Sequence, residues 1–319
     1  MDIKYEMVPT RDGYGKALLK LIEKNKNIVV LDADVAKSTR TLWVAEKFPD
    51  NFIDMGICEQ DLVGTSAGFA LGGMIPFCTT YCVFLVGRAW DQIRTTVCYS
   101  NLNVKFAGAH SGISVGPDGA THQSLEDVAL MRVLPNMTVV IPCDSIETEK
   151  ATIALTKKDG PCFIRFGREA VPVITSEDTP FEIGKAYTIR EGGDVAIIAN
   201  GAMVYEAMVA ADELGKHGVS AMVVNLHTVK PLDVGAIVDA AKKTGAVVTA
   251  EEHQLIGGTG SAVAECLSQH CPTPMEMVGV RDSFGESGTG AELMKKYGLT
   301  SDAIVDAVHK VLLKSNVSG

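Results

Sequence analysis

The sequence predicts two three-layer α/β domains in tandem, and three observations carry that prediction. Short, continuous apolar runs alternate with longer helical patterns, as expected of parallel strands covered on both faces. The alternation is interrupted once, by a polar, proline-marked connector through Pro172, Thr175, Ser176, Glu177, Asp178, Thr179 and Pro180, and then resumes. A length of 319 residues suits two units that each bury a core. The expected division is 1–179 and 180–319.

In the first unit a helix begins near Arg11, a strand follows at 28–31, and a polar loop runs through Asp32, Asp34, Lys37 and Ser38. Strands recur at 74–78, 104–107, 139–142 and 162–166, with helices at 61–71, 84–99, 125–133 and 145–157. The second unit reads strand 195–199, helix 204–217, strand 221–226, helix 234–244, strand 247–250, helix 261–266, strand 277–280 and a closing helix at 301–313. Ligands of open α/β sheets gather beyond the carboxyl ends of the strands. Asp34, Ser38, Glu59, His110 and Arg168 all fall there.

Composition narrows the function. The chain has 29 Lys and Arg against 39 Asp and Glu, a net charge of -10, which argues against nucleic acid or an anionic membrane as a general partner. The start of the chain lacks an apolar signal core, and no run has the length and freedom from charge of a membrane span. Eight cysteines form no CxxC pair; they read as reduced and structural, and a cytoplasmic setting is expected. Cys78 and Cys82 have helical spacing but no nearby histidine pair, so no metal site is expected on this chain.

The run from Ile53 to Gly73 is the organising stretch. A short apolar strand passes through Gly56 into a helix of small and apolar residues whose first turn holds Glu59, Gln60 and Asp61. Gly64, Ala67, Gly68 and Gly72 permit close approach of another backbone or a ligand, and the helix is expected to be buried. Acids at a helix start also suit the macrodipole, which is the bland account of Glu59.

Three further sets of polar residues sit awkwardly in a core. A long Gly-rich loop from Gly108 to Asp127 carries His110, Asp118 and His122, residue types suited to sugar hydroxyls and to proton transfer near neutral pH. Tyr81, Phe84 and Arg88 are spaced to share one face, although aromatics at that spacing are more often core. Arg11 and Arg168 carry planar guanidinium groups suited to phosphate, with solvated surface as the alternative. Gly257 to Gly260 lacks the third glycine and the acid of a dinucleotide fingerprint, and there is no phosphate-loop lysine pattern.

On the Glu59 segment and the loop from His110 to Asp127, the chain resembles the C-terminal half of a transketolase over nearly its whole length. The resemblance implies a thiamine diphosphate pyrimidine-binding domain followed by a transketolase C-terminal domain. It implies that Glu59 contacts N1' of the aminopyrimidine and, by sharing a proton with it, helps the cofactor lose its own reactive proton. Tyr81 and Phe84 match the aromatics that pack against that ring. His110, Asp118 and His122 match positions that meet the substrate's hydroxyls or its chemistry. Arg11, Ser38 and Arg168 match positions that grip a sugar phosphate, and Asp34 matches an acid near the reacting centre.

Full-length members also carry an N-terminal Gly-Asp-Gly motif and an Asn that hold magnesium and the diphosphate, and no such segment is found here. Gly116-Pro117-Asp118-Gly119 echoes it only superficially. The resemblance therefore implies the C-terminal subunit of a split transketolase. Its partner would supply the Mg2+ ligands, two copies of each chain would form the active complex, and sugar phosphates of the pentose phosphate type would be substrates. The helix after Glu59 is the expected packing surface. The beta chain of a 2-oxo acid dehydrogenase decarboxylase component is the nearest alternative, and the Ile-Cys-Glu-Gln wording and the sugar-handling loop count against it. A 1-deoxyxylulose phosphate synthase fragment is a weaker alternative. A non-catalytic scaffold would have no need of so many polar residues in one cleft.

Overall fold

In the computed structural model, which describes residues 5–315, Ile28–Asp32 is a fully buried strand and the first sheet is assembled around it. The first four residues of the expected 1–179 unit and the last four of 180–319 lie outside the described residues. Across this seven-stranded sheet the order is Thr228–Lys230, Thr138–Val140, Cys162–Arg165, Lys105–Ala109, Ile75–Tyr81, Ile28–Asp32 and Phe52–Asp54. All neighbours are parallel except Thr228–Lys230, which runs antiparallel to Thr138–Val140.

Alternate side chains of Ile28–Asp32 feed two layers, as a strand period of two dictates. Val30 packs with Tyr14, Leu18 and Ile22 of the helix Thr10–Lys24 and with Ala151 and Leu155 of Ser145–Thr156. Val29 and Leu31 pack on the other side with Leu62, Val63, Leu85, Val86 and Ile93. Each fully buried side chain of this size stabilises the fold by roughly 1.5–3 kcal/mol. Three layers result.

The second sheet has five strands in the order Met275–Val280, Val247–Gln254, Val195–Ala199, Ala221–Asn225 and Tyr187–Arg190, the last antiparallel. Met203–Lys216 and Ser301–Ser315 cover one face through Ala207, Leu214, Val308 and Val311. Val234–Thr244 and Thr259–His270 cover the other through Ile237, Val263 and Leu267. A short antiparallel pair, Met7–Pro9 with Ala170–Pro172, closes the first unit. Among the described residues no helix is long and apolar enough to cross a membrane, and all eight cysteines are free.

Two expectations need correction. The helix Glu59–Leu71 is buried on one face only, through Glu59, Leu62, Val63, Ser66 and Ala67, while Gln60, Asp61, Gly64, Gly68 and Leu71 face outward. Its small residues open a surface instead of filling a core. The helix expected at 84–99 is two segments, an α-helix Cys82–Arg88 and a π-helical turn Gln92–Cys98. The break is a bend at Ala89, and beside it the Trp90 indole N–H donates to Leu130 O at 3.1 Å, a tertiary contact that no local breaker residue announces.

Candidate functional site

The strand Ile28–Asp32 sends its chain toward one edge of the sheet and Ile75–Tyr81 toward the other, so a crevice opens between their carboxyl ends. The site lies at this crevice. Tyr81 ends its strand in an extended conformation and caps the helix Cys82–Arg88. Its hydroxyl donates to Ser38 Oγ at 3.0 Å, joining the two sides.

Ser38 is held by the short helix Ala36–Thr39, which is organised by a residue that carries no assignment from sequence alone. Asp32 accepts from Val35 N at 2.7 Å, Thr39 Oγ1 at 2.9 Å and Thr41 Oγ1 at 2.8 Å. Burial raises its carboxyl to about 6, and these donors oppose the shift. Arg11 Nη1 donates to Ser38 O at 2.9 Å. Burial, then the Arg40 charge, weaken the hold of Arg11 on its proton, and its buried Nε has no partner among the described residues. Arg40, a further cation not singled out from the sequence, donates from Nε to Asp12 at 2.6 Å.

His110 follows the strand Lys105–Ala109 with φ of 54°, a left-handed conformation uncommon outside glycine. Its ring is buried, its Nδ1 has no hydrogen-bond partner among the described residues, and its centroid lies 4.6 Å from that of Tyr81. Burial, then the charges of Arg11, Arg168 and Arg40, push it down to about 3, so the imidazole is neutral across the physiological range. His122 is half-buried with its ring edge-on to Phe84, centroids 5.0 Å apart. Tyr81, Phe84, His110 and His122 thus form one aromatic group. Asp118 accepts from Arg168 Nη1 at 3.3 Å, and the same nitrogen reaches Val115 O at 3.1 Å.

The loop between them is clamped by side chains of the second sheet and by itself. Gln123 Nε2 donates to Ile113 O, Gly116 O and Glu286 O, and Glu252 Oε1 accepts from Ser114 N at 2.7 Å. Gly112 has a φ of 86°, and a Cβ there would stand 2.2 Å from Glu252 Oε1, so only glycine fits. No signal along the sequence ties 252 or 286 to this loop.

Glu59 opens its helix and is 4 % exposed. Both its oxygens accept from Arg88 Nη1, at 3.0 and 3.2 Å, and the Arg88 guanidinium lies 4.2 Å from the Phe84 ring centroid. Asp34 is exposed, with φ of 59°; its N–H donates to Asp54 Oδ1, which also accepts from Gly56 N, so its backbone is tied to the turn that leads to Glu59. The structure therefore gathers Arg11, Ser38, Tyr81, Phe84, His110 and His122 at the crevice. Glu59 is attached to them through Arg88, Arg168 and Asp118 form a neighbouring pair, and Asp34 sits at the rim.

A buried carboxylate joined through one guanidinium to an aromatic ring face suits a flat, nitrogen-containing ring, and the orphaned His110 Nδ1 suits a hydroxyl or carbonyl. No group of three or more His, Cys, Asp or Glu among the described residues is placed to hold a metal ion.

The family model of the transketolase pyrimidine-binding domain matches residues 6–173, and that of the transketolase C-terminal domain matches residues 184–304. The chain is 45% identical to the 6-deoxy-6-sulfo-D-fructose transketolase subunit SqwH of Clostridium sp. (strain MSTE9), over 99% of this chain and 98% of that protein. It is 38% identical to one of the subunits of the apulose-4-phosphate transketolase of Phocaeicola vulgatus, over 93% of this chain and 96% of the relative. Among solved structures, a split-gene transketolase described as an inactive beta4 tetramer superposes with a TM-score of 0.90 at 49% identity, covering 96% of this chain and 99% of that one.

Proposed function

The chain belongs to the transketolase family, in the form of the split enzymes' C-terminal subunit, and from that premise we propose that it moves a two-carbon ketol unit from a ketose to an aldose acceptor within a two-chain transketolase. The observation that carries the reading is the buried Glu59 carboxylate at the edge of the Tyr81, Phe84, His110 and His122 group. Thiamine diphosphate, when bound, supplies the electron sink for cleaving and remaking a carbon–carbon bond next to a carbonyl. This chain's part is to hold and protonate. Glu59 would share a proton with the aminopyrimidine, and Tyr81 and Phe84 would exclude water from its faces. Neutral His110, with Nδ1 unpaired, is suited to a substrate hydroxyl or carbonyl, and Asp118 and His122 to hydroxyls or proton transfer nearby. Asp34 is assigned to the rim near the reacting centre.

Arg11, Ser38 and Arg168 would hold the terminal anion of the sugar. The relatives act, by name, on a sulfonated ketose and on a ketose phosphate, so the anionic end, more than one particular sugar, is what these groups serve. A pentose phosphate role is one case of that class. We assign the division into pyrimidine-binding and C-terminal domains to 179 and 180. The Mg2+ and diphosphate ligands belong to an N-terminal partner subunit, with two copies of each chain in the complex. Eight free thiols suit a reducing, cytoplasmic setting.

The test is to assemble the two chains, titrate thiamine diphosphate with Mg2+, and assay ketol transfer from a panel of phosphorylated and sulfonated ketoses. Transfer that depends on both chains and the cofactor supports the reading. Cofactor uptake without transfer from any donor would remove it.

A further inference from the structure

We propose that Arg88 is a positioning residue that stands in for the aminopyrimidine: it occupies the carboxylate of Glu59 and the ring face of Phe84, and it must leave both for the cofactor to be seated. The inference rests on the reading of Glu59 given above. Its observations are independent of that reading.

The Glu59 carboxylate is buried, and the hydrogen bonds it accepts come from Arg88 Nη1 at 3.0 and 3.2 Å. The other acids of this turn, Asp54 and Asp61, are exposed and bring no cation to it. A buried carboxylate without a cation or donors is expensive, so the guanidinium stabilises Glu59. The same guanidinium is flat and lies over Phe84 at 4.2 Å. Ring stacking and a hydrogen shared with the Glu59 carboxylate are the two features that the family resemblance ascribes to the aminopyrimidine. One place cannot hold both.

Arg88 is also built to move. Its side chain is 53% exposed, although it pairs with a side chain that is 4% exposed. Its backbone carbonyl is fixed by Gln60 Nε2 at 3.2 Å, and it is the last residue of Cys82–Arg88, before the bend at Ala89. The guanidinium can therefore swing into solvent without moving the helix that carries Phe84. When it leaves, the Glu59 carboxylate is open to the ring nitrogen with which the family resemblance has it share a proton.

The experiment compares wild type, Arg88→Gln and Arg88→Lys. In the first arm, thermal unfolding of the chain without cofactor is followed with and without Glu59→Gln in the same chain. Arg88→Gln should lower Tm by several degrees in the wild-type chain and much less beside Glu59→Gln; equal Tm shifts in the two backgrounds would overturn the pairing. In the second arm, the complex with the N-terminal subunit is titrated with Mg2+ and thiamine diphosphate by calorimetry. Arg88→Gln should bind several-fold tighter than wild type, with Arg88→Lys between them. Weaker or unchanged binding would make Arg88 a permanent partner or a bystander and overturn the displacement. A wild-type complex that takes up no cofactor would instead remove the functional reading, and the displacement with it, whatever the first arm shows.

Discussion

The Tyr81 hydroxyl donates to Ser38 Oγ at 3.0 Å, and this bond spans the crevice between the strands Ile28–Asp32 and Ile75–Tyr81. It ties the ring that faces His110 to the loop that Arg11 also holds. Tyr81→Phe keeps the ring and removes the bond, so the fold should lose about 1 kcal/mol by denaturant titration. The Michaelis constant for an anionic sugar should rise several-fold while the cofactor affinity stays near wild type. A change in cofactor affinity alone would place the hydroxyl's role elsewhere.

Glu59→Gln leaves the Arg88 guanidinium unpaired but already half in solvent, so the fold should tolerate it. The amide cannot share an acidic proton, and turnover should fall by roughly a hundredfold or more. Ketol transfer and exchange of the cofactor's reactive proton are the measurements. Near-normal rates in both would remove Glu59 from the chemistry.

Arg168 holds Asp118 and Val115 O in place, whereas Arg11 holds Ser38 O. Arg11→Ala and Arg168→Ala should each raise KM for phosphorylated or sulfonated sugars by roughly ten- to a hundredfold, the size of a lost charge-assisted bond. Uncharged acceptors should be nearly unaffected by Arg11→Ala. Asp118→Asn separates the loop effect from the anion effect for Arg168. Equal losses on charged and uncharged substrates would mean both arginines are structural.

Buried titratable groups give stability a pH dependence of mixed sign. His110 is pushed down to about 3 and His227 to about 4, both chiefly by burial, from an ordinary value of 6.5. Below 6.5 the unfolded chain takes protons that the folded chain refuses, so their contribution falls as pH drops through that window. Asp32 and Glu147, raised by burial to about 6 and about 7, behave oppositely. What they contribute is fully present below the ordinary carboxylate range and is lost as pH rises through 6 to 7. His110→Gln should flatten the fall in unfolding free energy between pH 6.5 and pH 4, leaving the share due to His227. Parallel wild-type and variant profiles would show that His110 takes a proton freely in the folded state.

How much of this is legible in the sequence depends on how local the cause is. The strand Ile28–Asp32 and the turn into Glu59 show as an apolar run and a glycine, because burial on both faces demands the first and the change of direction favours the second. The pairing of Glu59 with Arg88 spans 29 residues and that of Ser38 with Tyr81 spans 43, and both exist only once strand order is fixed. Spacing puts Tyr81, Phe84 and Arg88 on one face, but it does not say that the guanidinium covers Phe84. Thr228–Lys230 is too short to carry a pattern, and its place at the edge of the first sheet follows from pairing with Thr138–Val140. The outward face of Glu59–Leu71 reads as core from the sequence because small and apolar residues serve a core and an interface alike.

That face leads to the prediction on assembly. A Cβ added at Gly64 or Gly68 meets nothing within 4 Å, and Ile57 and Leu71 are among the most exposed large apolar side chains of the molecule. Bare helix backbone flanked by exposed Ile and Leu is poorly suited to water and well suited to another chain's surface. The helix also begins with Glu59, so whatever packs along it lies about one to three turns from the site. Gly68→Trp should leave the unfolding of the separate chain within about 1 kcal/mol of wild type, since the space is open and the change of helix propensity away from glycine is a small gain. It should nevertheless cut association with another copy or with the N-terminal subunit, and cofactor retention with it. Light scattering against multiples of the 33.9 kDa chain, with calorimetry of the mixed complex, reads both effects. A variant that assembles and loads normally would move the interface to another face.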